Sequence, residues 1–310
     1  MKLKAKGTIC GVIAAVSYGT NPLGALSLYQ EGIQVNSVLF FRYSLAALVL
    51  LVLLFVRKES LRLAKAELKI LSLLGLLFAS SSITLFTSFH YIDAGVASTL
   101  LFVYPILVVV LMALFFKEKI TLTTLASVSL ALMGIAMLSK SPDGAILSTV
   151  GIILVFVSAL TYAIYIIIVN KATLNMSVYK LTFYVLVFCD LTIVSYALLG
   201  GGAPLQMLTT WRAWGYAWML ALVPTIISLV TMAVAVQEIG STPTAIMGAL
   251  EPLTAVVIGV SLFGEELTLP LGLGILMILI SVLLIIAGKA ISFKALSSQL
   301  ALLRSRKWKI

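Results

Sequence analysis

Long apolar runs dominate this chain and leave it few architectures. Ten can be read, with edges near residues 7–28, 34–56, 69–90, 94–116, 121–139, 148–169, 178–199, 212–236, 242–263 and 269–288. A helix rises about 1.5 Å per residue, so about 20 residues cross a hydrocarbon core roughly 30 Å thick. The runs are apolar on every side, unlike the surface helices of a soluble domain. In lipid, only helices and closed barrels satisfy their own backbone polar groups. Charged residues make up 10% of the sequence, against about 25% in soluble domains. The expected fold class is therefore an all-α polytopic membrane protein with ten transmembrane helices. The connections are too short for a second domain, and no Walker pattern is present.

The net charge of +10 is explained by where it sits rather than by nucleic acid. Lys2, Lys4 and Lys6 precede the first run, and Arg57, Lys58, Arg62, Lys65 and Lys69 lie between the second and third. Lys117 and Lys119 follow the fourth run, and Lys171 and Lys180 the sixth. Lys289, Lys294, Arg304, Arg306, Lys307 and Lys309 follow the tenth. Eighteen of the 21 basic residues thus share one side, leaving Lys140 and Arg212 on the other and Arg42 inside a span. The basic side is the cytoplasmic one, which places both termini there. The first run is read as a span rather than a cleaved leader, because the charge alternation works only if it stays. Cys10 and Cys189 fall inside spans and read as two buried thiols.

The second half resembles the first. An offset of 147 aligns Tyr104-Pro105 with Glu251-Pro252, and Lys117-Glu118-Lys119-Ile120-Thr121 with Gly264-Glu265-Glu266-Leu267-Thr268. An offset of 144 aligns Ser17-Tyr18 with Thr161-Tyr162 and Gly7 with Gly151, and Lys140–Ala145 is the linker. Five spans per half is an odd number, so the second half enters from the opposite side. Loops that are basic in the first half lose that charge in the second: Arg57-Lys58 becomes Gly201-Gly202. The expectation is two inverted five-helix repeats, residues 1–141 and 144–290, with a basic amphipathic tail over 291–310 lying on the membrane surface.

Polar side chains inside spans are costly and mark function. Span one carries Ser17, Tyr18 and Asn21 on one helix face, followed by Pro22, which is expected to break the helix and free a carbonyl. Span six repeats that face with Ser158, Thr161, Tyr162 and Tyr165, and span three carries Ser80, Thr84, Thr87, Ser88 and Tyr91. Helix–helix hydrogen bonding explains single Ser and Thr residues equally well. The tyrosines and Asn21 together favour a wetted cavity. Tyr18, Asn21, Ser80, Thr84, Tyr104, Tyr162, Tyr165 and Glu251 are the candidate substrate-binding residues. Glu251, Arg42, Asp190 and His90 are candidates for proton or charge coupling. Arg42 cannot shed its charge and is expected to pair with Asp190 or Glu251. Trp211, Trp214, Tyr216 and Trp218 read as an interfacial belt, and Gly7-x-x-x-Gly11 as a small-residue packing motif. Glu118 and Glu265, beside Thr121 and Thr268, suit the N-termini of spans five and ten. No catalytic or metal-ligand pattern is present, and no cofactor is expected.

These segments resemble the EamA family of the drug/metabolite transporter superfamily, over nearly the whole chain. Ala249-Leu250-Glu251-Pro252 with Gly264-Glu265-Glu266-Leu267-Thr268 carries the resemblance most strongly. Val103-Tyr104-Pro105 with the matching loop, and Phe40-Phe41-Arg42-Tyr43, carry it more weakly. Tyr104 and Pro22 depart from the family pattern and bear on the cargo. The resemblance implies a central cavity lined mainly by spans one, three, four, six, eight and nine. It also implies export of amino acids or related metabolites across a bacterial inner membrane, the two halves rocking in alternating access. Its expected partners are a small-molecule substrate, membrane lipid and protons as the candidate coupling ion, with no nucleic acid. A passive facilitator, an uptake permease for nucleotide- or sugar-type metabolites, and a membrane enzyme acting on lipid intermediates near His90 and Asp93 are the competing readings.

Overall fold

A computed structural model describes residues 2–117, 122–138, 148–172, 174, 176–239, 244 and 247–284. The linker, the Glu118–Thr121 loop and the basic tail, all singled out above, lie outside the described residues. The described residues form helices: α1 (Lys2–Tyr18), α2 (Asn21–Gln30), α3 (Val35–Val56), α4 (Lys65–Ser88), α5 (Ala94–Leu101), α6 (Tyr104–Phe116), α7 (Leu122–Leu138), α8 (Thr149–Lys171), α9 (Val178–Leu198), α10 (Trp211–Ala221), α11 (Ser228–Ile239), α12 (Leu250–Phe263) and α13 (Leu269–Leu284). Taken as continuous rods, seven are long and apolar enough to cross a membrane, and three more are shorter apolar helices. The chain is a multi-pass helical membrane protein. Two free cysteines, Cys10 and Cys189, remain unpaired with each other.

Several rods are interrupted, and proline accounts for the interruptions. α1 and α2 form one rod broken at Gly19-Thr20, with Pro22 in the first turn of α2. α5 and α6 break before Tyr104-Pro105, and α12 starts at Leu250 just ahead of Pro252. Between α10 and α11 the helix widens into a π segment, Leu222–Ile227, around Pro224. A proline withholds the N–H that the carbonyl four residues earlier would take, which is the usual cause of such kinks.

The closest packing joins helices distant in sequence: α1 against α11, α4 against α8 and α9, α3 against α9, and α5 against α12. Glycines permit the tightest of these. A Cβ on Gly7 would stand 2.7 Å from Glu238 and Ile239 side chains, and one on Gly75 would stand 2.3 Å from Phe188 Cβ. A Cβ on Gly134 would reach 2.9 Å from the Gly274 carbonyl, where α7 meets α13. The ends of the bundle differ in charge. Lys6 bonds Glu238, Lys180 donates to the Arg62 carbonyl, and Lys171 lies 4.6 Å from the Phe116 ring, all at one end. The other end gathers His90 stacked on Tyr29, Asn36 bonded to the Gly201 and Ala203 carbonyls, and Thr210 bonded to Glu31.

α6 and α12 end alike. Lys117 (φ 54) and Gly264 (φ 73), 147 residues apart, both close their helices in the left-handed conformation, each N–H bonded five residues back to Met112 or Gly259. Glu265 lies beyond Gly264. Its carboxylate does not serve the N-terminus of α13, as expected from sequence, but folds back to accept the Ala94 and Gly95 N–H groups of α5 at 2.7 and 3.1 Å. Gly264 allows that reversal because it adopts a positive φ without a Cβ penalty.

Candidate functional site

The broken rods converge on a narrow cavity with about 10 Å³ of room, enough for a water-sized occupant in this conformation. Tyr18 and Asn21 enter from the α1–α2 break, Arg42 and Tyr43 from α3, Leu101 from the end of α5, and Tyr162 from α8. α4 contributes Phe78, Ser81, Ser82, Leu85 and Phe86. Residues of both halves of the chain therefore share one wall.

Proline chemistry builds two of these positions. Pro22 cannot donate to the Tyr18 carbonyl, and the Asn21 side-chain amide takes that carbonyl instead at 2.8 Å. The amide oxygen, Oδ1, is left buried with no partner on the cavity wall. Pro224 likewise cannot donate to the Leu220 carbonyl. The Thr225 hydroxyl fills that place at 2.9 Å, and its lone pair accepts Arg42 Nε at 3.1 Å. A helix break thus presents a polar atom to the site without leaving an orphaned backbone carbonyl, the state that lipid forbids.

Arg42 is 3% exposed and packs its guanidinium over the Tyr43 and Phe86 rings, 5.0 and 5.5 Å from their centres. The expected ion pair with Asp190 or Glu251 does not form: the ion pairs found among the described residues are Lys6–Glu238 and Arg57–Glu59. Geometry explains the difference for Asp190. It faces Ser44, which donates to it at 2.6 Å, and Ser44 is two residues from Arg42, on nearly the opposite side of α3. Asp190 is accordingly absent from the cavity wall, with its second oxygen buried and unbonded. Glu251 sits in the first turn of α12, where the helix dipole favours a carboxylate. Its backbone carbonyl abuts Gly19 at the α1–α2 break.

The tyrosines form one aromatic cluster. Tyr104 meets Tyr162 edge-on at 4.8 Å, Tyr162 stacks on Tyr165 at 5.8 Å, and Phe78 touches both Tyr165 and Tyr43 at 5.5 and 5.6 Å. Tyr104 and Tyr165 do not line the cavity themselves but pack on Tyr162, which does, and Glu251 does not line it either. The remaining sequence candidates fall elsewhere. Ser80 and Thr84 return their hydroxyls to carbonyls of their own helix, Leu76 and Ser80, and neither lines the cavity. Their neighbours do: Ser82 bonds the Tyr43 hydroxyl at 2.7 Å, and Ser81 bonds Ser158 across α4 and α8 at 3.0 Å. His90 is exposed at the end of the bundle, stacked on Tyr29 at 4.5 Å, its imidazole shifted below the ordinary 6.5 by partial burial. Ser81, Ser82, Tyr43 and Phe78 were not among the sequence candidates. Of these, only Ser82 lies on a readable signal, the small-residue stripe Gly75, Ala79, Ser82 with Phe86 at helical spacing.

The EamA-like transporter family model matches twice, over residues 5–140 and 149–287. The chain belongs to the EamA-like transporter family. A protein of Archaeoglobus fulgidus described as an uncharacterized transporter is 30% identical over 192 residues, 62% of this chain and 67% of its own. A second uncharacterized transporter of that organism is 39% identical over 75 residues, 24% of this chain and 26% of its own. A solved crystal structure superposes with a TM-score of 0.64 over 90% of this chain and 96% of the other, at 16% identity, a likeness of fold. For this EamA-like protein the converging breaks, buried polar atoms and aromatic cluster form the candidate transport site.

Proposed function

We propose that this EamA-like protein is a secondary transporter that exports small amphipathic metabolites, amino acids foremost, across a bacterial inner membrane with both termini in the cytoplasm. One observation carries the reading: the cavity is buried, built at helix breaks, and walled by polar and aromatic groups from both halves of the chain. Transporters bind cargo at such discontinuities near the bilayer midplane. Tyrosine rings pack against apolar cargo while their hydroxyls hydrogen-bond it. Glu251 takes the cargo's amino group or a proton. The ten-span count and inverted repeats belong to the same proposal. The matching left-handed ends at Lys117 and Gly264 support them, as do the reciprocal pairings of α1 with α11 and α4 with α8.

The test is counterflow in proteoliposomes with a panel of amino acids, nucleotides and sugars, run with and without an imposed pH gradient. Saturable counterflow of amino acids is expected, with Glu251→Gln abolishing or strongly weakening it at unchanged expression. Counterflow that Glu251→Gln leaves intact removes that residue's role. Flux without saturation or counterflow replaces the transporter by a passive facilitator.

A further inference from the structure

We propose that Arg42 is an oxyanion anchor: its guanidinium binds the carboxylate of the cargo, so this site selects molecules that carry one. The inference rests on the transport reading above and goes beyond it by naming the group recognised and the residue that recognises it.

The argument begins with the cost of a buried cation. An arginine in a bilayer core needs a counter-charge, carbonyls or water. Arg42 is 3% exposed, yet no carboxylate among the described residues lies within ion-pair distance of it. Its one hydrogen bond among them uses Nε, to Thr225 Oγ1. The two terminal nitrogens, which form the bidentate edge suited to a carboxylate or phosphate, have no hydrogen-bond acceptor among the described residues, and Arg42 lines the cavity. The guanidinium plane is steadied by Thr225 on one edge and the Tyr43 and Phe86 rings beside it. A structural arginine would be satisfied on all sides. This one is fixed at Nε and open at the tip, which is the arrangement of a preorganised receptor.

A second observation points to the same ligand. Asn21, 6% exposed, leaves Oδ1 buried, unbonded and on the same wall, an acceptor without a donor. Glu251 lies in the first turn of α12, and its backbone carbonyl abuts Gly19 at the same helix break, without an ion pair to Arg42. A cationic donor and an unmet acceptor lining one cavity fit a molecule with an anionic and an ammonium end. Carboxylate is favoured over phosphate on charge: among the described residues Arg42 is the one cationic side chain on the cavity wall, and it matches a monoanion, whereas a phosphate near −2 calls for more.

The experiment uses full-length protein with two readouts: counterflow in liposomes and thermal stabilisation in detergent. The probes are L-leucine with 3-methylbutylamine, L-phenylalanine with 2-phenylethylamine, and phosphoethanolamine with inorganic phosphate. The carboxylates are expected to compete and stabilise roughly 10- to 100-fold better than their decarboxylated amines, as loss of hydrogen bonds to a charged group implies. Arg42→Gln is expected to erase that preference, and Arg42→Lys to retain part of it; Thr225→Val, which frees Nε but keeps the charge, should weaken it. The ligand pairs decide the matter even if Arg42→Gln does not fold. Equal counterflow of acid and amine overturns the anchor and leaves the transport reading standing. Carboxylate-specific stabilisation without counterflow keeps the anchor and overturns the transport reading. Stabilisation by the two phosphates alone overturns the carboxylate assignment, and no response to any probe overturns both proposals.

Discussion

Removing the Glu265 carboxylate should loosen the end of the bundle where α12 meets α5. Glu265 accepts two backbone N–H groups at the start of α5, and the shorter contact, 2.7 Å to Ala94, carries most of the interaction. A hydrogen bond to a charged group contributes about 1.5–3 kcal/mol when shielded, but this carboxylate is only partly buried, which reduces the figure. Loss of a helix N-cap costs about 0.5–2 kcal/mol. For Glu265→Ala about 1–2 kcal/mol follows, a 5- to 30-fold shift between the closed and opened end. Gly259→Ala provides an independent route to the same state, because its new Cβ would fall 2.0 Å from Glu265 Oε2 and evict the carboxylate. The assay is maleimide labelling of a cysteine at Ala97, which is fully buried on α5, in a background lacking Cys10 and Cys189. Both variants should label about 5- to 30-fold faster than the parent. Parental labelling in Glu265→Ala refutes the reasoning. The pH dependence has a definite sign. Burial, then the Asp93 charge, push the Glu265 carboxyl above its ordinary 4.5, while the two N–H donors pull it back. A raised folded pKa contributes stability that is full below 4.5 and fades as pH rises through the folded value. Glu265→Gln should flatten that slope in a plot of melting temperature against pH.

Two further outcomes concern packing away from the cavity. Ser44→Ala strips Asp190 of its hydrogen bond and should destabilise the protein by about 1–3 kcal/mol in mixed-micelle unfolding, whereas Asp190→Asn should leave counterflow intact, since Asp190 does not reach the cavity. Gly75→Ala puts a Cβ 2.3 Å from Phe188 Cβ and 2.9 Å from the Cys189 backbone nitrogen, so a loss of about 1–3 kcal/mol is expected by the same measurement, and parental stability would mean the α4–α9 crossing yields easily.

Seven spans were legible because a bilayer imposes one length and one chemistry on every crossing segment, and those sequence runs differ from the helices by a few residues at their ends. The break at Pro22 was legible for a local reason, the missing N–H. Inward faces were harder to read, because a serine or threonine in a helix can satisfy itself. Ser80 and Thr84 bond carbonyls on their own helix and so need no interior partner, while Ser82 reaches Tyr43. Polarity therefore marks the wrong side of α4, and residue size marks the right one. Long-range partners left no trace at all. Nothing in the spacing of Arg42 says that a hydroxyl 183 residues away will hold it, nor that Glu265 will cap a helix 171 residues earlier.

The packing also constrains how such a molecule can move. Two halves rocking as separate bodies would have to part α1 from α11, α4 from α8 and α3 from α9, which are among the tightest interfaces between the described residues. Contacts within each half, such as α3 with α4 or α6 with α7, are far slighter. Close-packed interfaces resist sliding, so motion follows the looser seams. The units that fit are mixed: α3, α4, α8 and α9 in one, α1, α2, α11 and α12 in the other, with α10 packed equally on α2 and α3 and Arg42–Thr225 crossing between the units. Ser81 and Ser158 test this. Their hydroxyls stand 3.0 Å apart across α4 and α8, inside one such unit. A disulfide between Ser81→Cys and Ser158→Cys should form readily and leave counterflow largely unchanged, because the two helices travel together. Counterflow that stops on oxidation and returns on reduction would mean that α4 and α8 part during the cycle, and the moving bodies would be the two halves after all.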